Sequence, residues 1–222
     1  MREPPSGARG PAKEELRPRF RRRRRDQQAA AAAGILTTSQ RELPPLLGPG
    51  QRLGLWWPIG SEPDLRPLAA ELEQHQPGRL ALPAVHPWPP LQATLQLLYL
   101  PWCVGAPLAP DACGIPSPAP PAQGEEPLAP TQLALLLVPA LAIDHAGIRL
   151  GSGGGWYDRL RADPAWRAVP ALAVLPAACV SAAPLPRDPW DVPFDGWLDE
   201  SGLHRISPPS HPAGDSAFVA TS

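Results

Sequence analysis

The chain has 222 residues, a formal net charge of −1 at pH 7, 43% hydrophobic content and a heavy load of 35 Pro and 19 Gly. That length suits one substantial core and is short for two, and the near-neutral charge excludes a global attraction to nucleic acid or to anionic membranes. The cysteines Cys103, Cys113 and Cys179 are odd in number and lack C-x-x-C spacing, which excludes a disulfide framework and a zinc knuckle and fits a reducing cytoplasm.

Residues 1–11 are rich in Pro, Gly and Arg and predict a disordered lead to a single domain over 12–206. Lys13 to about Ala33 is helix-prone in composition, and Pro18 either opens that helix, with Lys13 and Arg17 on a preceding turn, or kinks it. Arg21–Arg25 followed by Ala29–Leu36 imitates an export signal only in outline, because the apolar part is short, dominated by Ala and without a cleavage site. Leu53–Trp57 reads as a strand closed by Pro58, with a turn at Gly60-Ser61. Asp64 is placed to cap a helix carrying Leu65, Leu68, Ala69 and Leu72. Adjacent strand residues face opposite sides, so at most one of Trp56 and Trp57 is expected to line a pocket.

Leu80–Val85 and Leu95–Leu100 are further strands, and the dense prolines of Val104–Thr131 predict an extended surface connection. Leu133–Val138, uniformly apolar, is the expected central strand, and even with its continuation to Ile143 it is too short to span a bilayer. A Gly-rich loop, a helix starting near Gly155, a strand over Ala171–Leu175, and an ordered loop or edge strand over Pro189–Trp197 follow. Residues 207–222 form a polar tail with no reason to fold. Strands alternating with helices predict an α/β fold, a three-layer, mostly parallel sheet with helices on both faces.

The chemistry concentrates in the Gly-rich loop. Glycines at 151, 153, 154 and 155 allow backbone N–H groups to converge on one point, since no Cβ blocks the approach. A helix starting there adds its dipole and unpaired first-turn amides, and Arg149 adds a forked positive charge, so the segment suits a phosphate. No G-K-[ST] ending makes it a Walker A loop, and Trp156 stands where a dinucleotide fingerprint needs Gly. The five His lack metal-ligand spacing and no Gly-x-Ser-x-Gly elbow occurs, which weakens zinc and hydrolase readings.

The whole string V-P-A-L-A-x-D-x-x-G-x-R-L-G-x-G-x-G-[aromatic]-Y-D-R, 22 consecutive residues from Val138 to Arg159, closely resembles the signature of the 5-formyltetrahydrofolate cyclo-ligases. Lys13-x-x-x-Arg17, Trp57-Pro58-x-x-x-Glu62-x-Asp64 and Asp191-Val-Pro-Phe-Asp195 are similar to further elements of that family, in the same order. The resemblance implies a Rossmann-like sheet similar to the NagB/RpiA/CoA-transferase-like fold. It further implies closure of 5-formyltetrahydrofolate to 5,10-methenyltetrahydrofolate, with ATP and Mg²⁺ and release of ADP and phosphate. ATP would lie on Lys13, Arg17, Arg149, Leu150, Gly151, Ser152, Gly153, Gly154, Gly155, Trp156 and Tyr157, with Arg149 and Lys13 stabilising charge and no covalent nucleophile. The pterin would lie near Trp57 and Glu62. Asp158 and Asp191 would ligate Mg²⁺, with Asp195 competing for the second place. Ser117 stands in the Pro-rich connection where many relatives carry Glu before Pro, and Trp156 where Tyr or Phe is usual.

Small-molecule substrates, a monomer in the cytoplasm, and neither a nucleic-acid nor a membrane partner are the expectations. Two alternatives stay open. One is a folate- or nucleotide-binding relative with little turnover. The other is an RNA-binding or assembly protein acting through Arg17–Arg25, seven Arg in nine residues, whose binding would weaken steeply with salt.

Overall fold

The computed structural model describes residues 12–88, 94–122 and 125–206. The lead over 1–11 and the tail over 207–222, both expected to be disordered, lie outside the described residues.

Helix α1 (Lys13–Glu42) is 30 residues long and runs well past Ala33. Of its buried residues, Leu16, Phe20, Arg24, Ala31, Ile35 and Ser39 recur at steps of four or seven, the spacing of one helical face, and Thr38 lies beside them. Pro18 neither starts nor ends it, because a proline so near the amino end forfeits a single intrahelical bond while Leu16 and Phe20 on either side are held by packing. Pro44 and Pro45 follow Leu43 and set the stop, a single 3₁₀ turn at Pro44–Leu46.

Strand β1 (Arg52–Gly54) leads through a loop to helix α2 (Arg66–His75), which carries Pro67 in its first turn. The N-cap is Leu65 and not Asp64, which lies one residue earlier and instead accepts the Arg66 amide at 2.9 Å and pairs with the Arg66 guanidinium. Strands β2 (Leu80–Pro87) and β3 (Leu95–Trp102) pair antiparallel. The Pro-rich connection is more than an extended surface loop: it folds back as a short hairpin of β4 (Ala109–Pro110) and β5 (Pro116–Ser117), and it buries Ser117 and Leu128. The Ser117 hydroxyl bonds the carbonyls of Ala109 and Pro118, so it braces the hairpin.

After β6 (Leu133–Pro139) come β7 (Ala142–Asp144) and β8 (Arg149–Leu150), then helices α3 (Trp156–Ala162) and α4 (Pro164–Arg167). The chain ends in β9 (Ala171–Val174), β10 (Val180–Ser181), β11 (Gly196–Asp199) and β12 (Gly202–Arg205). The large sheet has seven strands in the order β12-β11-β9-β6-β1-β2-β3. Its four inner pairs, from β11 to β2, are parallel, and the two outer pairs are antiparallel. β6 is therefore the middle strand, as its unbroken apolar run predicts. The Pro189–Trp197 region is loop as far as Asp195, one of its two expected forms, but is not an edge strand beyond it. Its strand begins only at Gly196, and it lies inside the sheet because β12 covers its outer edge.

Alternation along the strands divides the core into two layers. Leu135, Leu137, Leu172 and Val174 pack on one side with Ala31 and Ile35 of α1 and Leu68 and Leu72 of α2. Leu136, Val138, Ala171 and Ala173 pack on the other with Tyr157 and Leu160 of α3 and Trp166 of α4. Leu53, Leu80, Leu136 and Leu137 are wholly buried, and each such side chain is worth roughly 1.5–3 kcal/mol of transfer free energy. The three-layer α/β architecture follows, with no described helix long and apolar enough to cross a membrane.

Candidate active site

A cleft of about 470 Å³ opens where the parallel strands β1 and β6 end, the position at which open α/β sheets hold ligands. Its wall takes Lys13 and Arg17 from the start of α1, Trp56, Trp57 and Glu62 from the loop after β1, and Arg149 with residues 151–155 from β8 and the loop beyond it. The first turn of α3 adds Trp156, Tyr157 and Asp158, and the loop before β11 adds Asp188, Trp190 and Asp191. Every residue expected to touch ATP, folate or metal lies on this wall except Leu150. Its side chain is 1% exposed, packed with Leu16, Phe20 and Ile148, and it anchors β8 rather than facing the cleft.

The glycine loop is aimed by its preceding hairpin. Asp144 is buried and accepts the amides of Ala146 at 3.0 Å, Ile148 at 2.9 Å and Leu185 at 2.8 Å, which fixes the β7–β8 turn and delivers Arg149 to the cleft. Gly155 caps α3 at φ 64°, ψ 15°, a left-handed conformation in which a side chain is strained. Gly151 lies under the Arg149 guanidinium, and a Cβ there would stand 2.6 Å from Nη1. Among the described residues, none of the N–H groups of residues 152–155 donates a hydrogen bond within the chain. Free amides of this kind suit an anion, and residues 152–155 stand on the wall of the cleft.

Three cations surround it. Arg149 is nearly buried, yet its contacts are poor: Nη1 is 3.5 Å from the Pro139 carbonyl, Nη2 is 3.6 Å from Asp158 Oδ2, and Nε has no partner. The guanidinium is held between the faces of Tyr157 and Phe194, 5.5 and 5.3 Å from the ring centres. Arg17 Nε donates to the Gly151 carbonyl at 3.3 Å. Lys13 Nζ donates to Asp188 at 2.7 Å and also to Asp191. Burial disfavours its ammonium, but these two carboxylates outweigh that and leave Lys13 raised above its usual value. Arg159 donates to the Gly154 carbonyl at 2.9 Å and lies 4.3 Å over the Trp156 ring, bracing the loop from outside.

The acids divide into two kinds. Asp158 and Asp191 face the cleft. Asp195 does not, because its Oδ2 accepts the Ala171 amide at 2.8 Å and lies 3.5 Å from Arg161, so it serves the entry to β11. Among the described residues no cluster of three or more His, Cys, Asp or Glu is gathered for a metal ion.

On the opposite wall Trp56 and Trp57 both line the cleft, contrary to the alternation argument, because β1 ends at Gly54 and the pair belongs to a loop. Trp57 meets Trp102 edge-to-face at 6.1 Å and carries Arg66 over its face at 5.2 Å. The Trp56 indole N–H is buried and makes no hydrogen bond of normal geometry, but it lies close enough to Glu62 to favour its carboxylate. The Glu62 side chain is 7% exposed and accepts the Ile59 amide at 3.1 Å. Burial pushes its carboxyl upward, and the Ile59 amide, Arg24, Trp56 and Arg149 draw it back only in part. Burial also holds the Tyr157 phenol well above its ordinary value, so it stays neutral.

Sequence reasoning left out Asp188, Trp190 and Arg24. The acid pair Asp188-x-x-Asp191 is a visible signal. Arg24 gives none, since it is one of five consecutive arginines. The Arg17–Arg25 tract is not one face: Arg17 lies in the cleft, Arg24 is buried, and Arg19, Arg21, Arg22 and Arg25 are exposed.

Known proteins share this fold. The NMR structure of Aquifex aeolicus 5,10-methenyltetrahydrofolate synthetase superposes with a TM-score of 0.67 at 25% identity, covering 93% of this chain and 98% of that one. A 5,10-methenyltetrahydrofolate synthetase from Mycoplasma pneumoniae superposes with a TM-score of 0.61 at 19% identity, over 85% of this chain and 98% of the other, a likeness of fold. The 5-formyltetrahydrofolate cyclo-ligase of Haemophilus influenzae is 34% identical over 114 residues, which span 51% of this chain and 57% of that relative's length. The sequence profile of the 5-formyltetrahydrofolate cyclo-ligases matches residues 9–199, a stretch that holds both Lys13 at one end of the cleft and Asp191 at the other, and the chain belongs to that family.

Proposed function

We propose that the protein closes 5-formyltetrahydrofolate to 5,10-methenyltetrahydrofolate at the expense of ATP, releasing ADP and phosphate. The observation that carries this reading is the row of unpaired amides at 152–155, which shares one cleft with Arg149, Arg17 and Lys13 and faces an aromatic wall ending in Glu62. Unpaired N–H groups and an under-bonded guanidinium suit a polyphosphate, and the flat, apolar side suits a pterin.

The N5-formyl group is amide-like, and its oxygen leaves poorly. In the proposed reaction that oxygen takes the γ-phosphoryl group of ATP, N10 attacks the formyl carbon, and phosphate departs with the former formyl oxygen. The protein's part is to hold the reactants in line and to balance charge, which no covalent nucleophile is needed to do. Arg149 is pre-placed between Tyr157 and Phe194 for the transferring phosphoryl group. A polyphosphate competes with Asp188 and Asp191 for Lys13. Glu62 receives N–H groups of the pterin.

Asp158 and Asp191, two of the carboxylates on the cleft wall, suit Mg²⁺, which takes one or two protein carboxylates beside phosphate and water. Asp158 and Asp191 would hold it, and it would supply charge neutralisation on the polyphosphate. Incubation of purified protein with ATP, Mg²⁺ and 5-formyltetrahydrofolate should produce the methenyl absorbance. Asp158→Ala should abolish the signal, and undiminished turnover in that variant would refute the metal assignment.

A further inference from the structure

One buried cation behind the cleft wall has no role in the chemistry above. Arg24 is 5% exposed and reaches from α1 across to the ends of the two strands that flank the crevice. Its Nε donates to Ser61 Oγ at 3.2 Å, in the loop after β1, and its Nη1 donates to the Ala140 carbonyl at 3.2 Å, just after β6. The same Nη1 stands 3.7 Å from Glu62 Oε1. One guanidinium thus ties the two cleft walls together and faces the carboxylate from behind, while the other side of Glu62 looks into the cleft.

From this geometry we infer that Arg24 is a positioning residue for the folate substrate, holding Glu62 oriented and ionised so that it accepts the ring N–H groups. The inference rests on the folate reading of Glu62. An ionised carboxylate offers only acceptors, whereas a protonated one presents a donor against donors. Glu62 is buried enough to favour the neutral form, and its charged or titratable neighbours are Arg24 from α1, Arg149 from β8 and Tyr157 from α3. Tyr157 stays neutral and Arg149 faces the polyphosphate side, so Arg24 is the counter-charge committed to Glu62. Its own surroundings include Arg21 and Cys179, and burial lowers its pKa while Glu62 supports its charge. The planar fork matters as much as the charge, since an ammonium cannot bridge Ser61, Ala140 and Glu62 from one place.

The test is a set of steady-state measurements on Arg24→Met, Arg24→Lys, Glu62→Gln and the double variant, each checked for folding by its thermal transition. Arg24→Met should raise the KM for 5-formyltetrahydrofolate about tenfold or more, the loss of roughly one charge-assisted hydrogen bond, with the KM for ATP within about twofold of wild type. In the Glu62→Gln background the same change should add little, because the pair acts as a unit. Arg24→Lys should fall between wild type and Arg24→Met. The acidic limb of the folate kcat/KM profile should move to higher pH in Arg24→Met. Equal rises in both KM values, a full effect persisting without Glu62, or an Arg24→Lys variant indistinguishable from wild type would each overturn the inference. A carboxyl titration of Glu62 by carbon NMR needs no turnover: a pKa unmoved by Arg24→Met sinks this inference, whereas wild-type protein lacking turnover sinks the function reading.

Discussion

Two clusters of charge sit on the same sheet and differ in how completely they are bonded. At the β11–β12 edge, Asp199 is 3% exposed at its side chain and surrounded by donors: Trp197 Nε1 at 3.0 Å, Ser201 N at 2.8 Å, Gly202 N at 3.2 Å, the Ser201 hydroxyl and His204 Nε2 at 3.2 Å. Trp197 stacks on the His204 ring at 4.8 Å and closes the group. In the cleft, Arg149 is about as buried, yet its best contacts are at 3.5 and 3.6 Å and its Nε has none. A buried group left short of partners costs stability, so a saturated cluster is read as structure and a hungry one as a place where a ligand completes the bonding. On the proposed function, the difference marks where the fold gives up stability for binding.

Removing the hungry cation should separate the two most widely. On the proposed function Arg149→Ala deletes a donor to the transferring phosphoryl group, and losses of this kind are on the order of 10²–10³ in rate. Its few and long contacts mean that the melting temperature should fall by no more than about 2–4 °C, equivalent to roughly 1 kcal/mol in a chain of this size. Turnover and thermal unfolding of one preparation check both halves. A large loss of stability with modest loss of rate would erase the distinction drawn above.

Asp199→Asn is the mirror experiment. Burial raises the Asp199 carboxyl, but hydrogen bonds from Ser201 and the nearby His204 outweigh it, and its pKa is lowered below 3.8. A lowered folded pKa contributes stability that is present above the unfolded value and lost as pH falls through the folded one. The variant should therefore melt about 4–8 °C lower at pH 7, for a loss of roughly 2 kcal/mol, with kcat unchanged at permissive temperature. As pH falls below 3.8 the gap to wild type should close. A gap of constant size across that range would mean that the shape of Asp199, and not its charge, holds the hairpin.

How much of this could be read from the residues depends on range. The middle strand was legible because Leu133–Val138 is apolar on both faces, and the loop was legible because four glycines stand within five residues. Local patterns failed where tertiary packing decided. α1 continues past Ala33 because Ile35 and Ser39 are buried, and β11 becomes an inner strand only when β12 folds back on it. The signature string also mixes two functions that spacing cannot separate: Arg149 and residues 151–158 face the cleft, whereas Asp144 and Leu150 hold the hairpin that aims them. That Asp191 and not Asp195 faces the cleft is visible only in the fold, which commits Asp195 to the Ala171 amide. Arg24 was hidden among identical neighbours, and helix phase alone selects it.

The smallest effect tests the loop's backbone. Gly155 stands at φ 64°, where a Cβ costs roughly 1–2 kcal/mol, and that Cβ would lie 3.0 Å from Arg159 Nη1, the far end of an exposed side chain that can move aside. Gly155→Ala thus charges the left-handed conformation without an immovable clash. If the free amides of 152–155 grip the polyphosphate, relaxing that conformation should raise the KM for ATP several-fold and leave the KM for the folate unchanged. The penalty to folding should stay near 1 kcal/mol, about 2–4 °C. Gly155→Asn keeps more of the left-handed tendency and should retain more of the ATP affinity. An ATP KM that ignores both substitutions would show that side-chain cations alone hold the nucleotide, and the contrast between saturated and unsaturated backbone would lose its functional meaning.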